Sequence, residues 1–199
     1  MKEHKINSKH DFIQGYYLSD LSICDSLIKI FNGPNVKKVR GEVGSQDNFR
    51  VDKNIKDSLD LQLRLKDVKN LPILKSYYNE IVNCLDLYKE KYKFCNKEVA
   101  AWGLEEGFNI QKYKPSEGYH KFHCESSNMS TSKRHLVYMT YLNDVKKGGE
   151  TEWYYQKLKI KPEKGLTVIW TADWTFTHKG HTTIDEDKYI ITGWFEFKK

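Results

Sequence analysis

The chain has 199 residues, of which 39% are hydrophobic, 14% aromatic and 30% charged, with a formal net charge of +6 at pH 7. This length predicts one domain, and the hydrophobic content is sufficient for a buried core. The absence of a long apolar run argues against a membrane-spanning segment. Lysines occur singly and in pairs rather than in one patch, which favours a solvated surface over a nucleic-acid partner.

The N-terminal segment and the cysteines predict a cellular location. No apolar stretch of the kind found in secretory signals follows the first basic residues. The cysteines show no CxxC or other metal-binding spacing, so reduced thiols are expected. These two features predict a cytoplasmic protein. The cysteines concerned are Cys24, Cys84, Cys95 and Cys124.

Residues 1–34 contain the first predicted strand and helix. Residues 1–10 are polar and are predicted to be frayed. Residues 12–18 predict a strand. Apolar residues then recur at helical spacing from Leu21 to Phe31, and Asn32-Gly33-Pro34 predicts the end of that helix.

The next seventy residues complete a supporting region of about residues 1–105. Residues 35–55 have no clear period and predict a polar loop, which could be mobile over a substrate entrance. Residues 58–63 alternate and predict a strand. A second helix is predicted to begin at Leu71-Pro72 and to bury a stripe that ends at Tyr88.

From Phe108 onward the pattern changes to short β runs broken by Gly, Pro and Asp, with no helical period between them. Many short strands after two helices predict a mostly β fold with supporting helices, in the α+β class. The catalytic β core is predicted to span about residues 106–199, within a single domain of 1–199. The predicted strands are 108–113, 119–125, 134–142, 150–154, 166–170 and 187–197.

One short motif in this region, His123-x-Glu125, has the composition of a metal site. Side chains two apart in a strand point to the same face, so an imidazole and a carboxylate would project together, with Cys124 facing away. Two histidines and one carboxylate form the ligand set of non-haem Fe(II) sites. The chain offers a third ligand at His178, and His181 is its rival.

A basic residue follows ten positions after His178, in the stretch from Lys188 to Trp194. The ordered set resembles the 2-oxoglutarate/Fe(II) dioxygenases, and within them the prolyl 4-hydroxylase-like branch. The resemblance runs from about Asn109 to Phe197, and the spacing favours His178 over His181. The family usually has Asp at the position of Glu125, and its halogenating relatives lack the carboxylate. The supporting stretches are 111–115, 141–145, 148–153 and 161–165.

The resemblance implies a double-stranded β-helix, or jelly roll, with Fe(II) on His123, Glu125 and His178. It implies 2-oxoglutarate as co-substrate, O2 as oxidant and ascorbate as a supporting reductant. The implied reaction is hydroxylation of a C–H bond while 2-oxoglutarate is converted to succinate and CO2. These three residues are therefore the predicted catalytic group.

The resemblance also implies contacts for 2-oxoglutarate. Lys188 is the predicted partner of its distal carboxylate, because a buried carboxylate without a cation is costly. Alternation along the predicted strand places Lys188, Thr192 and Trp194 on one face. Tyr141 is expected to assist Lys188, Tyr113 to lie near the iron end, and Thr151 is a further candidate for the pocket.

The branch implies a prolyl residue of a peptide or protein as substrate. Candidate substrate contacts are Arg134, Trp153 and Trp174, the last of which precedes His178 and could stack on a prolyl ring. Within the superfamily, the alternative is hydroxylation of another residue, a free amino acid or a nucleobase. From other classes, a zinc-binding barrel using His120-x-x-His123 with His178-x-x-His181, or a catalytically silent binding barrel, stays open.

Overall fold

The computed structural model describes residues 1–6, 12–44 and 48–198. Three α-helices all lie in the first half of these residues, and strands occur throughout them. The helices are α1 (Ser22–Asn32), α2 (Leu65–Asn70) and α3 (Pro72–Lys91). The strands are β1 (Lys2–His4), β2 (Gln14–Tyr17), β3 (Val39–Arg40), β4 (Leu59–Leu63), β5 (Trp102–Gly103), β6 (Phe108–Tyr113), β7 (Tyr119–His123), β8 (Arg134–Tyr141), β9 (Thr151–Trp153), β10 (Leu158–Ile160), β11 (Leu166–Thr171), β12 (His178–Gly180) and β13 (Lys188–Phe197).

Helix α1 forms where the apolar spacing predicts it. The N–H of Ser22 donates to Oδ1 of Asp20 at 2.8 Å, which satisfies a backbone donor that the first turn leaves free. The helix ends at Gly33, whose N–H donates to the carbonyl of Ile30, and Pro34 cannot continue it. Its buried face consists of Ile23, Cys24, Leu27 and Phe31.

Helix α3 begins at Pro72, a position where the missing proline N–H costs nothing. Its buried stripe includes Leu74, Tyr77 and Tyr88. The Tyr77 hydroxyl lies 2.8 Å from Oγ1 of Thr140 on β8, which attaches the helix to the sheet. The short α2, which the sequence pattern did not predict, is capped where the Asp67 carboxylate accepts the N–H of Arg64.

All strand pairs are antiparallel, and they form two sheets. The larger sheet has nine strands in the order β1-β2-β11-β8-β13-β6-β4-β3, with β5 on the end of β13. The smaller sheet has four strands in the order β10-β9-β12-β7. Strands from the first and second halves of the chain therefore share one sheet.

The period of two along β8 divides its side chains between two cores. Leu136 and Tyr138 belong to the core under α1 and α3, whereas Val137 and Met139 belong to the core that faces the smaller sheet. The layers are thus helices, large sheet and small sheet. This arrangement confirms the predicted mostly β fold, a double-stranded β-helix with N-terminal helices packed on it.

Several boundaries differ from the sequence-based prediction. Residues predicted to be frayed include β1, whose backbone pairs with β2. Strands β10 and β12 have three residues each, which is too few for an alternating pattern to be recognised in the sequence. In the segment 41–55, Val43 and Arg50 exchange two backbone hydrogen bonds of 2.9 Å, and residues 45–47 lie outside the described residues.

All four cysteines lie in described residues, and none of them forms a disulfide. Cys24 and Cys84 are buried in the core under the helices. Within the described ranges, none of the helices has both the length and the apolar character that crossing a bilayer requires.

Candidate active site

Two strands of the small sheet bring two histidines together. β7 and β12 are antiparallel neighbours, and their register places His178 directly opposite His123. Opposite residues of an antiparallel pair have adjacent side chains on one face. The two imidazole ring centroids accordingly lie 4.4 Å apart.

Glu125 reaches these histidines from beyond the end of its strand. β7 ends at His123, and Glu125 lies in a bend whose N–H donates to the carbonyl oxygen of Ala172 at 3.1 Å. The next N–H, that of Ser126, donates to the same oxygen at 2.8 Å. His123 and Glu125 converge as expected, but a bend anchored to the end of β11 produces this convergence, and the alternation of a strand does not.

Backbone carbonyls orient both imidazole rings. Nδ1 of His123 lies 3.1 Å from the carbonyl oxygen of Lys121, and Nδ1 of His178 lies 2.9 Å from that of Phe176. Because a carbonyl oxygen only accepts, the proton of each neutral ring is assigned to Nδ1, and each Nε2 keeps a free lone pair. Both Nε2 atoms lie 3.5 Å from Oε1 of Glu125.

The second oxygen of Glu125 is occupied by the protein. The indole N–H of Trp194 donates to Oε2 at 2.9 Å, and Nη1 of Arg134 lies 3.4 Å from it. The Arg134 guanidinium stacks 3.7 Å above the Trp194 ring centroid and also donates to the Glu106 carboxylate. Oε1 is therefore the oxygen of Glu125 that is left to bind a metal ion.

The protonation states of these groups suit metal binding. Burial favours a raised pKa for Glu125, but protonated His123 and His178, which donate to it from Nε2 when no metal is bound, outweigh burial and hold this pKa well below its usual value. Burial, reinforced by His178, lowers the pKa of His123. An ionised carboxylate and a neutral imidazole are the forms that bind metals.

The three donor atoms fit one divalent ion. Nε2 of His123, Nε2 of His178 and Oε1 of Glu125 lie within 4.8 Å of one another. Two imidazoles and one carboxylate suit Fe(II), and they leave further coordination positions for molecules in the cavity. Across residues 1–6, 12–44 and 48–198, this is the only such group of three or more His, Cys, Asp or Glu side chains.

The four-histidine zinc site considered as an alternative is not formed by the described residues. Nε2 of His181 lies 2.5 Å from Oε2 of Glu152 and does not join the ligand group. His120 is likewise outside that group. Residues three apart on β7 project to different sides, which separates His120 from His123.

A cavity of about 450 Å³ extends from the metal-ligand group into the space between the sheets. Its wall includes Lys188, Thr192 and Trp194, which alternate along β13 as predicted. An outer groove of about 560 Å³ adjoins it and shares His123 and Tyr119 with the cavity wall. The ligand group therefore lies where this cavity meets a more open groove.

Lys188 also lines this cavity and is buried, with 2% of its surface exposed. Nζ donates to the carbonyl oxygens of Gly149 at 3.0 Å and His181 at 3.1 Å. It also lies 4.9 Å from the ring centroid of Tyr113. Burial lowers the pKa of Lys188 to about 8.

Lys188 differs from the other cations of the cavity wall in having no carboxylate partner. Arg134 pairs with Glu106 and Glu125, as described above. Nζ of Lys56 lies 2.6 Å from Oδ2 of Asp60. Among the described side chains no carboxylate oxygen lies within 4.0 Å of Nζ of Lys188. A buried ammonium with one N–H unused, and with the Glu150 carboxylate acting on it only from beyond contact distance, favours an anionic ligand.

Of the other predicted co-substrate contacts, three line the cavity and one lies behind its wall. Tyr113, Thr151 and Thr192 line the cavity. The Tyr113 hydroxyl donates to Oε1 of Gln111 at 2.7 Å, and its ring lies beside Lys188 rather than among the metal ligands. Tyr141 is fully buried behind the wall, where its hydroxyl donates to Oγ1 of Thr151 at 2.7 Å. Thr151, and not Tyr141, therefore contacts the cavity here.

The structure contradicts one of the three predicted substrate contacts and places the other two on the cavity wall and on the open surface. Trp153 is fully buried and packs edge-to-face on Trp170 at 5.3 Å, so no substrate can reach it in this conformation. Arg134 lines the cavity, but its guanidinium is engaged by Glu106 and Glu125. Trp174 is 64% exposed and lies outside the cavity wall.

Some wall residues were not recognised in the sequence. Lys56 and Asp60 form a buried ion pair on the wall, and Asp60 also accepts from Ser58. Ser58 and Asp60 lie on the polar face of the predicted strand 58–63, and in the sequence such a face looks like one exposed to solvent. Tyr119 stacks on His123 with ring centroids 3.6 Å apart, and Cys124, expected to face away, also lines the cavity.

Comparison with known families identifies this arrangement. The model of the 2OG-Fe(II) oxygenase superfamily matches residues 108–196, which include every predicted metal ligand. Prolyl 4-hydroxylase 13 of Arabidopsis thaliana is 28% identical over 115 residues. That match covers 45% of this chain and 42% of the relative, so the chain corresponds to less than half of that protein.

Solved structures share the fold at low sequence identity. A prolyl hydroxylase from Trichoplax adhaerens, solved with a hypoxia inducible factor peptide fragment, has a TM-score of 0.71 and 16% identity, covering 94% of this chain and 84% of that one. A prolyl-4-hydroxylase from Pseudomonas putida has a TM-score of 0.67 and 13% identity, covering 94% and 93%. A viral collagen prolyl hydroxylase from Paramecium Bursaria Chlorella virus-1 has a TM-score of 0.61 and 17% identity, covering 96% and 99%.

The family match and the curated relative agree with the ligand group that the small sheet and the Glu125 bend assemble. Residues 108–196 of this chain are therefore similar to the 2OG-Fe(II) oxygenase superfamily, and the curated relative is a prolyl 4-hydroxylase.

Proposed function

We propose that this protein is an Fe(II)- and 2-oxoglutarate-dependent hydroxylase that acts on a prolyl residue in a peptide or protein. The observation that carries the proposal is one cavity with two complementary ends. At one end, two Nε2 atoms and Oε1 of Glu125 converge within 4.8 Å. At the other, the buried ammonium of Lys188 lacks a carboxylate partner among the described residues.

In this proposal, His123, Glu125 and His178 hold Fe(II), and Lys188 holds the distal carboxylate of 2-oxoglutarate. Thr151 and Thr192, which line the same wall, offer hydroxyl groups to the co-substrate. The chemistry that bound Fe(II) and 2-oxoglutarate supply is reduction of O2, coupled to decarboxylation of the co-substrate to succinate and CO2 and to insertion of one oxygen atom into a C–H bond.

The protein's own contribution is orientation and exclusion of water. The carbonyls of Lys121 and Phe176 hold both imidazoles in the tautomer that presents Nε2. Trp194 and Arg134 hold Oε2 of Glu125, so Oε1 faces the histidines. The buried walls around Lys188 keep a charged co-substrate in a dry space, where its pairing with the ammonium is stronger than in water.

A polypeptide substrate is supported by the shape of the entrance. The outer groove of about 560 Å³ meets the ligand group at His123 and continues past Phe122 and Thr177 on the surface. An open groove accommodates an extended chain with one residue directed at the reacting centre, whereas a free amino acid does not need a groove outside the cavity. The similarity to proteins named as prolyl hydroxylases favours proline as the reacting residue.

The test is coupled turnover on defined peptides. The purified protein with Fe(II), 2-oxoglutarate and ascorbate is incubated with proline-containing peptides and with matched peptides in which alanine replaces proline. We expect succinate formation and one added oxygen atom on proline, located by tandem mass spectrometry, with the proline peptides alone. Turnover with a free amino acid or a nucleic acid, and with no proline peptide, would contradict the prolyl assignment but retain the oxygenase.

A further inference from the structure

The guanidinium of Arg134 is shared between two carboxylates, those of Glu106 and of the metal-ligand candidate Glu125. Its Nε and Nη2 donate to the two oxygens of Glu106 at 3.1 and 3.0 Å, in the parallel arrangement that pairs a guanidinium with a carboxylate most strongly. The remaining nitrogen, Nη1, lies 3.2 Å from the carbonyl oxygen of Glu125 and 3.4 Å from its Oε2. Glu106 therefore takes the larger share of this cation, and the Glu125 carboxylate receives one longer contact.

The position of Glu106 is fixed by the loop between β5 and β6. The next residue, Gly107, lies so close to the end of β4 that a Cβ atom there would be 2.2 Å from the carbonyl oxygen of Leu63. Glycine permits this approach because it has no Cβ. On the other partner, the Trp194 ring centroid lies 3.7 Å from the guanidinium carbon of Arg134 and covers one of its faces. Both members of the pair are thus held by their surroundings.

Arg134 has few alternatives to Glu106 as a counter-charge. Among the described side chains, only Glu106 and Glu125 place a carboxylate oxygen within 4.0 Å of the guanidinium. Glu196 lies opposite Arg134 in the register of β8 and β13, but its Oε2 is 2.7 Å from Nζ of Lys133. The Arg134 side chain is only 14% exposed, and a cation so far removed from water is costly without a partner. Without the charge of Glu106, the guanidinium would therefore turn to Glu125.

We propose that Glu106 is a positioning residue of the metal site, which binds Arg134 so that Arg134 does not compete with the metal ion for Glu125. The inference rests on the ligand group of the proposed function and assigns a role to a residue outside that group. A guanidinium that donated two hydrogen bonds to Glu125 would engage both of its oxygens. With Nε and Nη2 on Glu106, Arg134 contacts Oε2 alone and leaves Oε1 to the metal ion.

Metal affinity tests this role without turnover. Mn(II) is titrated calorimetrically into chelator-treated protein, unaltered or carrying Glu106→Gln, Arg134→Met or both substitutions. Glu105→Gln is the matched control, because Glu105 is the preceding residue, its side chain is 42% exposed, and it pairs with Lys198 at 3.3 Å instead. Glu106 is itself 34% exposed, so Glu106→Gln should preserve the circular dichroism and melting temperature.

We expect Glu106→Gln to weaken Mn(II) binding at least about tenfold, and Glu105→Gln to leave it unchanged. Adding Arg134→Met to Glu106→Gln should restore part of the lost affinity, because the competing cation is then absent. A merely structural role of Glu106 would give no such recovery. Unchanged affinity in Glu106→Gln would overturn the proposal, and so would an equal loss in the presence and absence of Arg134.

Two further measurements separate this inference from the proposed function. Mn(II) binding that is lost in Glu125→Gln but unchanged in Glu106→Gln would reject the positioning role alone. Mn(II) binding that survives Glu125→Gln unaltered would reject the ligand group, and the positioning role with it. At saturating Mn(II), 2-oxoglutarate should bind Glu106→Gln as tightly as the unaltered protein, because Lys188 is unchanged. A matching loss of 2-oxoglutarate affinity would show that the whole cavity had altered and would overturn the proposal.

Discussion

The metal-ligand group and Lys188, which line the same cavity, differ in how far the protein itself satisfies their polar and charged atoms. At the metal end, the polar side-chain atoms of the three ligand residues, other than the three donor atoms, already have partners. Each Nδ1 lies against a backbone carbonyl, and Oε2 of Glu125 is held by Trp194 and Arg134. At Lys188, the buried ammonium contacts two carbonyl oxygens and the Tyr113 ring, and no carboxylate oxygen of the described side chains lies within 4.0 Å of it.

This difference shows which end is prepared for which ligand. A site that must hold a metal in a set geometry needs its ligands orientated in advance, because each free rotation weakens binding. A site that must attract an anion needs a charge left without a partner, because a second carboxylate would compete with the co-substrate. The four predictions below test this contrast, from the largest expected effect to the smallest.

Removing the charge of Glu125 should have the largest effect. Glu125→Gln keeps the shape of the side chain but loses the anionic donor, so iron-dependent succinate formation should fall by at least about 100-fold. Glu125→Asp keeps the charge and should be tolerated better. His181→Ala is the control, because His181 is bound to Glu152 and should leave activity largely intact. Equal activity of the Gln and Asp variants would remove Glu125 from the ligand set.

Removing Lys188 should affect the co-substrate and spare the metal. Loss of one partner of a buried ion pair costs about 2–5 kcal/mol, so Lys188→Ala should raise the KM for 2-oxoglutarate roughly 30-fold or more. Metal affinity, measured by Mn(II) titration, should not change. Lys146, whose side chain is 86% exposed, provides a matched Lys146→Ala control with no expected effect. An unchanged KM in Lys188→Ala would place the co-substrate elsewhere.

Releasing Oε2 of Glu125 should weaken the metal end by a smaller amount. Trp194→Phe keeps an aromatic wall but loses the indole N–H, and loss of such a supporting contact should weaken metal affinity about tenfold. Trp170→Phe is the matched control, since Trp170 lines the same cavity and its buried Nε1 has no hydrogen-bond partner among the described residues. Similar Mn(II) affinities of the two variants would show that the Trp194 contact does not orient Glu125.

The pH dependence of co-substrate binding should follow the protonation of Lys188. Burial lowers its pKa to about 8, and an anionic ligand binds only the protonated form. Affinity for 2-oxoglutarate should therefore be complete below about pH 8 and fall up to about tenfold per pH unit above it. Calorimetric titration of the Mn(II) protein from pH 7 to 9.5 measures this slope. 2-Oxopentanoate, which lacks the distal carboxylate, should not show it; an identical slope for both compounds would contradict the assignment.

Much of this fold was predictable because its signals are local. The helical spacing from Leu21 to Phe31 and the stripe that ends at Tyr88 predicted α1 and α3, and these helices bury those residues. The alternation of Lys188, Thr192 and Trp194 predicted one shared face, and all three line the cavity. Such patterns repeat within one element, so they can be recognised without knowledge of its neighbours.

Very short strands were not predictable from the sequence. β1, β10 and β12 have three residues each, too few to establish a period, and they exist because other strands pair with them. Asp60 gave a related error, since a polar strand face looks the same whether it meets solvent or a buried cavity. Trp153 gave the opposite error: it was predicted to contact the substrate, but an aromatic residue close to a predicted site can instead be a buried core residue.

The sequence by itself indicated a family resemblance, the fold class, and the residues that could bind a metal ion and an anion. The tertiary structure alone decided that Glu125 lies in a bend, that Trp194 and Arg134 hold its second oxygen, and that Lys188 lacks a carboxylate partner among the described residues. The physical reason is that composition and period are properties of neighbours along the chain. Hydrogen bonds and charge pairs between β7, β8, β12 and β13 depend on sheet register, which forms only when distant strands meet.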